Sequence, residues 1–189
     1  KQLGFLKWFL RWAYEKGYNR LNAFEKFKPN IRIVAKKVIF LTPDELKSLR
    51  EFVIPEQKQY LERVRDVFIF CCYSSLRYSD VYNLKKSNIK NNHIEITTVK
   101  TGDSLFIDLN DYSSAILNKY KDVPFKNDNA LPVISNQKMN DYIKELAELV
   151  GFDEPIHETY YIGAKRIDTV TPKYELLSTH AGRRTFICY

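Results

Sequence analysis

The sequence predicts a mainly helical α+β fold in which small antiparallel β-hairpins lie beside the helices. Three observations predict it. Apolar residues recur at three- and four-residue spacing between helix caps over much of the chain. Twice the period switches to two across a short turn, as in a hairpin. Apolar residues make up 44% of the 189 residues, which is enough for a packed core.

The elements follow in order. Leu3, Leu6, Phe9, Leu10, Ala13 and Tyr14, with Lys7, Arg11, Glu15 and Lys16 between them, predict a helix with one buried face that stops at Gly17. A short helical turn is expected over 22–27. Residues 29–40 change character: Arg32, Lys36 and Lys37 stand among small apolar residues with no helix signal. They predict a basic linker between two domains, suited either to lying along a polyanion or to plain solvation. Thr42 is a good N-cap, Pro43 suits the first helical position, and Glu45 completes a capping box, so the second domain opens there. Helices are expected over 43–53, 56–74 and, more briefly, 77–84. Strand-like runs at 93–99 and 104–109 form a hairpin whose turn carries Lys100. Helices return over 111–121 and 136–150, the latter closed by Gly151. A second hairpin spans 157–171, turning near 163–165, and Ser178-Thr179 caps a last helix that starts at His180.

Composition narrows the function. Thirty Lys and Arg against 23 Asp and Glu leave a net charge of +7, which favours a polyanionic partner through counterion release but also fits an ordinary basic protein. Three cysteines, two of them adjacent in an apolar run, suit buried thiols in a reducing compartment rather than a disulfide framework. The longest strongly apolar run, 67–73, is too short to span a bilayer. No signal peptide is visible, so a cytoplasmic protein with no membrane partner is expected. His93, His157 and His180 have no ligand-like spacing with each other or with the cysteines, so no metal or other cofactor is expected. Both ends read as cut through helices.

Three short segments can carry chemistry. In Ser74-Ser75-Leu76-Arg77-Tyr78-Ser79-Asp80, Arg77 stands at a helix start, where a guanidinium complements a bound anion better than the helix itself. Asp80, three residues on, is placed to hold Arg77 in one rotamer, and the two also fit a surface ion pair. Lys100 on its turn can reach into a groove, although turn lysines are commonly just solvated. In His180-Ala181-Gly182-Arg183-Arg184, His180 and Arg183 project from one face of a first helical turn. A His beside an Arg forms no ion pair with it, so the two together favour a shared anion such as a phosphodiester; a capping His beside a surface Arg is the plainer reading. Arg184 points elsewhere, toward a structural role or a DNA-backbone contact.

Taken in order, SSLRYSD, ITTVKTGDSLFIDL and LSTHAGRRTF resemble the catalytic domain of the tyrosine recombinases, or phage integrases. That family has an Arg at a helix start, a Lys on a β-hairpin and a His-x-x-Arg pair in this sequence order. The resemblance covers 41–189 as the catalytic domain. It implies that 1–28 is the C-terminal part of a helical, SAM-like core-binding domain and 29–40 the linker that lets both domains clamp DNA. Ser75 stands where many members have Gly, and Gly182 where many have Leu.

By that resemblance the chain is a site-specific recombinase that cuts and rejoins DNA through a 3′-phosphotyrosyl intermediate. Arg77 and Arg183 would neutralise the non-bridging phosphate oxygens, His180 would add a hydrogen bond, and Lys100 would protonate the departing 5′-oxygen. Asp80 would support them, and Arg32, Lys36, Lys37 and Arg184 would contact DNA. The partner is double-stranded DNA, the working unit a homotetramer, with no small-molecule substrate and a place at the nucleoid. The nucleophilic tyrosine is expected downstream of Tyr189, since Tyr160 and Tyr161 precede the His-Arg pair. The competing reading is a non-catalytic, recombinase-like DNA-binding protein. It shares the charge but gives no reason for Lys100, His180 and Arg183 to occur together.

Overall fold

The computed structural model describes residues 2–28, 34–35, 37–163 and 165–188. The DNA contacts expected of Arg32 and Lys36, and the positions of Ala164 and Tyr189, lie outside the described residues. The chain divides into two compact units, residues 1–35 with 159–167, and residues 36–158 with 168–189.

In the first unit, α1 (Gln2–Glu15) ends where Gly17 takes a positive φ of 75°, and the Tyr18 amide donates back to Ala13 O at 2.9 Å. The short α2 (Ala23–Lys26) follows. Tyr14 meets Phe24 edge-on at 6.3 Å, and Ala13 and Phe24 are buried. Of the face expected to be buried on α1, only Ala13 is buried and Leu10 is half-buried, whereas Leu3, Leu6, Phe9 and Tyr14 stay exposed.

The second unit is built around α4 (Tyr60–Ser74), whose residues from Val67 to Cys72 are all buried. A helix apolar on every side has to sit inside a bundle. It is packed by α3 (Pro43–Glu51), α6 (Asp111–Tyr120), α7 (Asn136–Val150) and α9 (Thr179–Cys188). The capping box opening α3 is present: Glu45 N donates to Thr42 Oγ1 at 3.3 Å and Thr42 N to Glu45 Oε2 at 2.7 Å. The same Glu45 carboxylate accepts two 2.7 Å bonds from Lys173 Nζ, a buried lysine that ties the far end of the chain to the start of this unit. The single helix expected over 56–74 is a 3-10 turn at Glu56–Lys58 followed by α4.

Between α4 and α6 lie the five-residue α5 (Tyr78–Tyr82) and the antiparallel pair β1 (His93–Thr97) and β2 (Ser104–Asp108), in register Ile94↔Ile107 and Ile96↔Leu105. Ile94 is fully buried, so the alternation read from the sequence puts this hairpin's apolar face on the core. A second hairpin, β3 (Pro155–Ile162) with β4 (Lys165–Pro172), leads into α8 (Lys173–Leu176), a single turn too short for any periodicity to reveal. Cys71 and Cys72 are buried thiols, whereas Cys188 is exposed. No helix among the described residues is long and apolar enough to cross a membrane.

Candidate active site

Arg77 is set by how α4 ends. Ser75 caps that helix in the left-handed region (φ 59°, ψ 6°), which turns the chain sharply and buries Leu76 behind it. Ser74 steadies the turn, its hydroxyl donating to Phe70 O at 2.7 Å and accepting from Leu76 N at 3.4 Å. Arg77 is then extended (φ −73°, ψ 153°) at the start of α5, and its carbonyl accepts from Asp80 N and Val81 N.

Lys100 is held by a turn that bonds largely to itself. Thr98 N donates to Asp103 O at 2.8 Å, and Gly102 N to Thr98 O at 3.0 Å with Gly102 at a φ of 73°. The Thr98 and Thr101 hydroxyls lie 2.8 Å apart, and Asp103 N reaches Thr98 Oγ1 at 3.2 Å. A tie from outside fixes the turn against α5: Val99 N donates to Asp80 Oδ1 at 3.0 Å. Asp80 was expected to hold Arg77. Its bonded oxygen instead holds the backbone next to Lys100, because the side chain is buried and the hairpin amide is what packs against it. Among the described residues its other oxygen, Oδ2, is buried with no hydrogen-bond partner.

α9 carries His180, Arg183 and Arg184, and its start is fastened to α7. Thr179 N donates to Asn140 Oδ1 at 2.8 Å and Thr179 Oγ1 to Asn136 Oδ1 at 3.1 Å. The cap expected from Ser178-Thr179 is therefore supplied in part by side chains about 40 residues earlier, with sequence separations of 39 and 43. Nothing in the local pattern marks Asn136 or Asn140 for this role. Farther along, Thr185 Oγ1 donates to Ala181 O at 2.9 Å and accepts from Leu41 N at 3.0 Å. Gly182 faces α4 so closely that a Cβ there would lie 2.9 Å from Cys71 Cβ. The glycine lets α9 pack backbone-close on α4, and Arg183 can then donate from Nη1 to Ser75 O at 2.8 Å.

These placements bring the sequence-expected residues together. The imidazole of His180 is held below its usual pKa, first by partial burial and then by the positive charges of Arg184, Arg183, Arg77 and Lys100. Cations from α5, from the β1–β2 turn and from α9 itself thus act on one ring. Arg184 is among them, one helical turn (i+4) on from His180. Lys37 is exposed in the second unit and is not among the charges acting on His180. A cluster of this kind, with one neutral hydrogen-bonding ring among four cations, is suited to an oxyanion and to charge building on it. Among the described residues no group of His, Cys, Asp and Glu is placed to hold a metal ion.

The comparisons with known proteins bear on the fold. No protein-family model matches the sequence, and no curated protein matches it. Solved structures do match by shape. A dimer of lambda integrase residues 75–356 bound to a COC′ core site aligns with 97% of this chain and 66% of its own, at 14% identity and a TM-score of 0.62. The chain has the tyrosine-recombinase fold. A lambda integrase tetramer bound to a Holliday junction gives the same TM-score of 0.62 at 16% identity, over 97% of this chain and 52% of its own. The Tn1549 transposon integrase (residues 82–397), in complex with circular intermediate DNA, gives 0.58 at 15% identity, over 98% and 63%. The chain therefore spans between about half and two thirds of these recombinase chains.

Proposed function

We propose that the protein is a site-specific DNA recombinase and that Arg77, Lys100, His180 and Arg183 surround the scissile phosphate. The observation that carries this reading is that long-range bonds tie three cation-bearing elements together: Arg183 of α9 holds the carbonyl of Ser75, two residues before Arg77, and Asp80 of α5 holds the Val99 amide beside Lys100. A surface that serves only to bind DNA needs dispersed charge along the backbone, not a single focus around a titratable ring. The fold supports the reading, since the lambda and Tn1549 integrases of the same shape were solved on DNA.

In this reading a tyrosine hydroxyl attacks the phosphorus. The P–O bond to the tyrosine forms as its hydroxyl proton passes to solvent, the bond to the 5′-oxygen breaks, and the leaving oxygen takes a proton from Lys100. Arg77 and Arg183 neutralise charge on the non-bridging oxygens, and His180 contributes a hydrogen bond to them. Asp80 acts indirectly, positioning Lys100 through the Val99 amide. The nucleophile is a tyrosine downstream of Tyr189. Arg184 and the basic residues Arg32, Lys36 and Lys37 hold the duplex. The working unit is a homotetramer on two duplexes, acting in the cytoplasm at the nucleoid, with no cofactor, no membrane partner and no small-molecule substrate.

The test is binding of a DNA duplex across a salt series, together with a nicked suicide duplex that traps covalent adducts. The 189 residues are expected to bind with an affinity that falls steeply as salt rises, and to form no adduct. Absence of binding at low salt would overturn the reading. A covalent adduct would move the nucleophile inside these residues. With the nucleophile in place, replacing Arg77 or Arg183 should slow cleavage far more than it weakens binding, on the order of a hundredfold or more in rate.

A further inference from the structure

We propose that this site binds its anion together with a proton: when a phosphate oxyanion enters among Arg77, Lys100, Arg183 and His180, His180 is protonated from solvent. The inference rests on the recombinase reading for the identity of the anion as a DNA phosphodiester. The coupling itself follows from the arrangement of charge.

His180 is the second residue of α9 and is exposed enough to exchange protons with solvent. Arg183 and Arg184 stand one turn on along its own helix. Arg183 holds the carbonyl of Ser75 at 2.8 Å, two residues before Arg77, and the turn that carries Lys100 is tied to α5 by the 3.0 Å bond from Val99 N to Asp80. These four cations raise the local positive charge at the ring. Asp80, on α5, is buried and engaged by the Val99 amide. The empty site therefore disfavours a fifth positive charge, and the ring stays neutral near pH 7. A phosphate oxygen within hydrogen-bond reach weakens the positive field at the ring. It offers the imidazolium an acceptor, and it offsets the surrounding cations that opposed protonation.

The balance is simple. Imidazole plus one solvent proton gives imidazolium, whose N–H then donates to the oxyanion. No bond in the phosphate changes. Occupied and empty sites thus hold different numbers of protons, and anion affinity must rise as pH falls through the interval between the two His180 midpoints. The catalytic consequence is that His180 meets a bound phosphate as a donor at both ring nitrogens.

The experiment is a pH titration of the histidine ring signals by NMR, between about pH 5 and about pH 8.5. The free protein, the protein saturated with a short DNA duplex, and the protein in inorganic sulfate against chloride of equal ionic strength are compared. Sulfate keeps its charge over this range, so it adds no titration of its own. The His180 midpoint is expected to rise by about one unit on occupancy, which makes duplex binding about tenfold tighter at low than at high pH. His180→Gln is expected to lose that pH dependence, whatever its affinity at a single pH. A bound duplex with an unmoved His180 midpoint overturns the proposal, as does a pH dependence that survives His180→Gln. Should the duplex fail to bind, the DNA reading falls, and the sulfate arm decides the coupling alone: a raised midpoint upholds it and an unmoved one overturns it.

Discussion

Arg183 Nη1 donates a 2.8 Å hydrogen bond to the backbone carbonyl of Ser75, 108 residues earlier in the chain. The carbonyl is available because Ser75 sits in the left-handed region that closes α4, so one strained residue both ends a helix and anchors an active-site arginine. A non-glycine residue in that region costs roughly 1–2 kcal/mol. Ser75→Gly should recover about 1 kcal/mol of that in chemical denaturation, with Arg183 still anchored. Ser75→Val should destabilise the protein instead, since branching at Cβ is poorly tolerated there. A glycine variant less stable than the parent would show that the turn is not strained.

Gly182 carries the opposite constraint, one of space. A Cβ would lie 2.9 Å from Cys71 Cβ and 3.4 Å from Phe68 O, both on the buried side of α4. Gly182→Ala should cost about 1–3 kcal/mol by forcing α9 off α4. Gly182→Leu, although Leu is usual at the matching position of the family it resembles, should cost more here. Denaturant midpoints measure both, and an alanine variant as stable as the parent would mean that the two helices separate freely.

Asp80 should act on the Lys100 turn rather than on Arg77. Asp80→Ala removes the acceptor for Val99 N and is expected to cost about 1 kcal/mol while speeding hydrogen exchange at the Val99 amide. Asp80→Asn keeps an acceptor oxygen and removes charge from a buried atom that has no partner, so its stability should stay within about 0.5 kcal/mol of the parent. Equal losses in the two variants would mean that the second oxygen has a partner after all.

Lys173 is buried, and its ammonium bonds both oxygens of Glu45. Truncating it to alanine leaves the Glu45 carboxylate without its cation and should cost about 3–5 kcal/mol. Lys173→Met fills the same space and should still destabilise, because Glu45 remains charged. The pair Lys173→Met with Glu45→Gln should recover most of that loss, which a double-mutant cycle in denaturant measures.

Stability should fall toward acid in two stages. His180 is depressed in the folded state, chiefly by burial and then by its cationic neighbours, so the unfolded chain takes up the proton first. That contribution is complete above the ordinary histidine value of about 6.5 and is lost as pH drops below it. Glu62 is depressed chiefly by its hydrogen bond from Lys119, so its contribution is present above its unfolded value of 4.5 and is lost as pH falls through the lower folded one. Urea midpoints across pH should show His180→Gln abolishing the first decline and Glu62→Gln reducing the second. A first decline unchanged in His180→Gln would assign it to another group.

What the sequence determined by itself is mostly local. The capping box at Thr42 and Glu45, the glycine stops at Gly17 and Gly151, and the period-two runs of the first hairpin all encode backbone dihedrals or side-chain bonds a few residues apart. Order along the chain added the set Arg77, Lys100, His180 and Arg183, each placed at an element end or turn by its neighbours. Partners far apart in sequence were decided only by the tertiary structure. Asn136 and Asn140 fasten the start of α9, Asp80 holds Val99 rather than Arg77, and Lys173 is buried on Glu45. The exposed apolar face of α1 belongs with them, since periodicity shows which side of a helix is apolar but not what covers it. Dihedral preference and capping act over one or two turns of chain, whereas the partner of a buried polar group depends on which elements pack beside it.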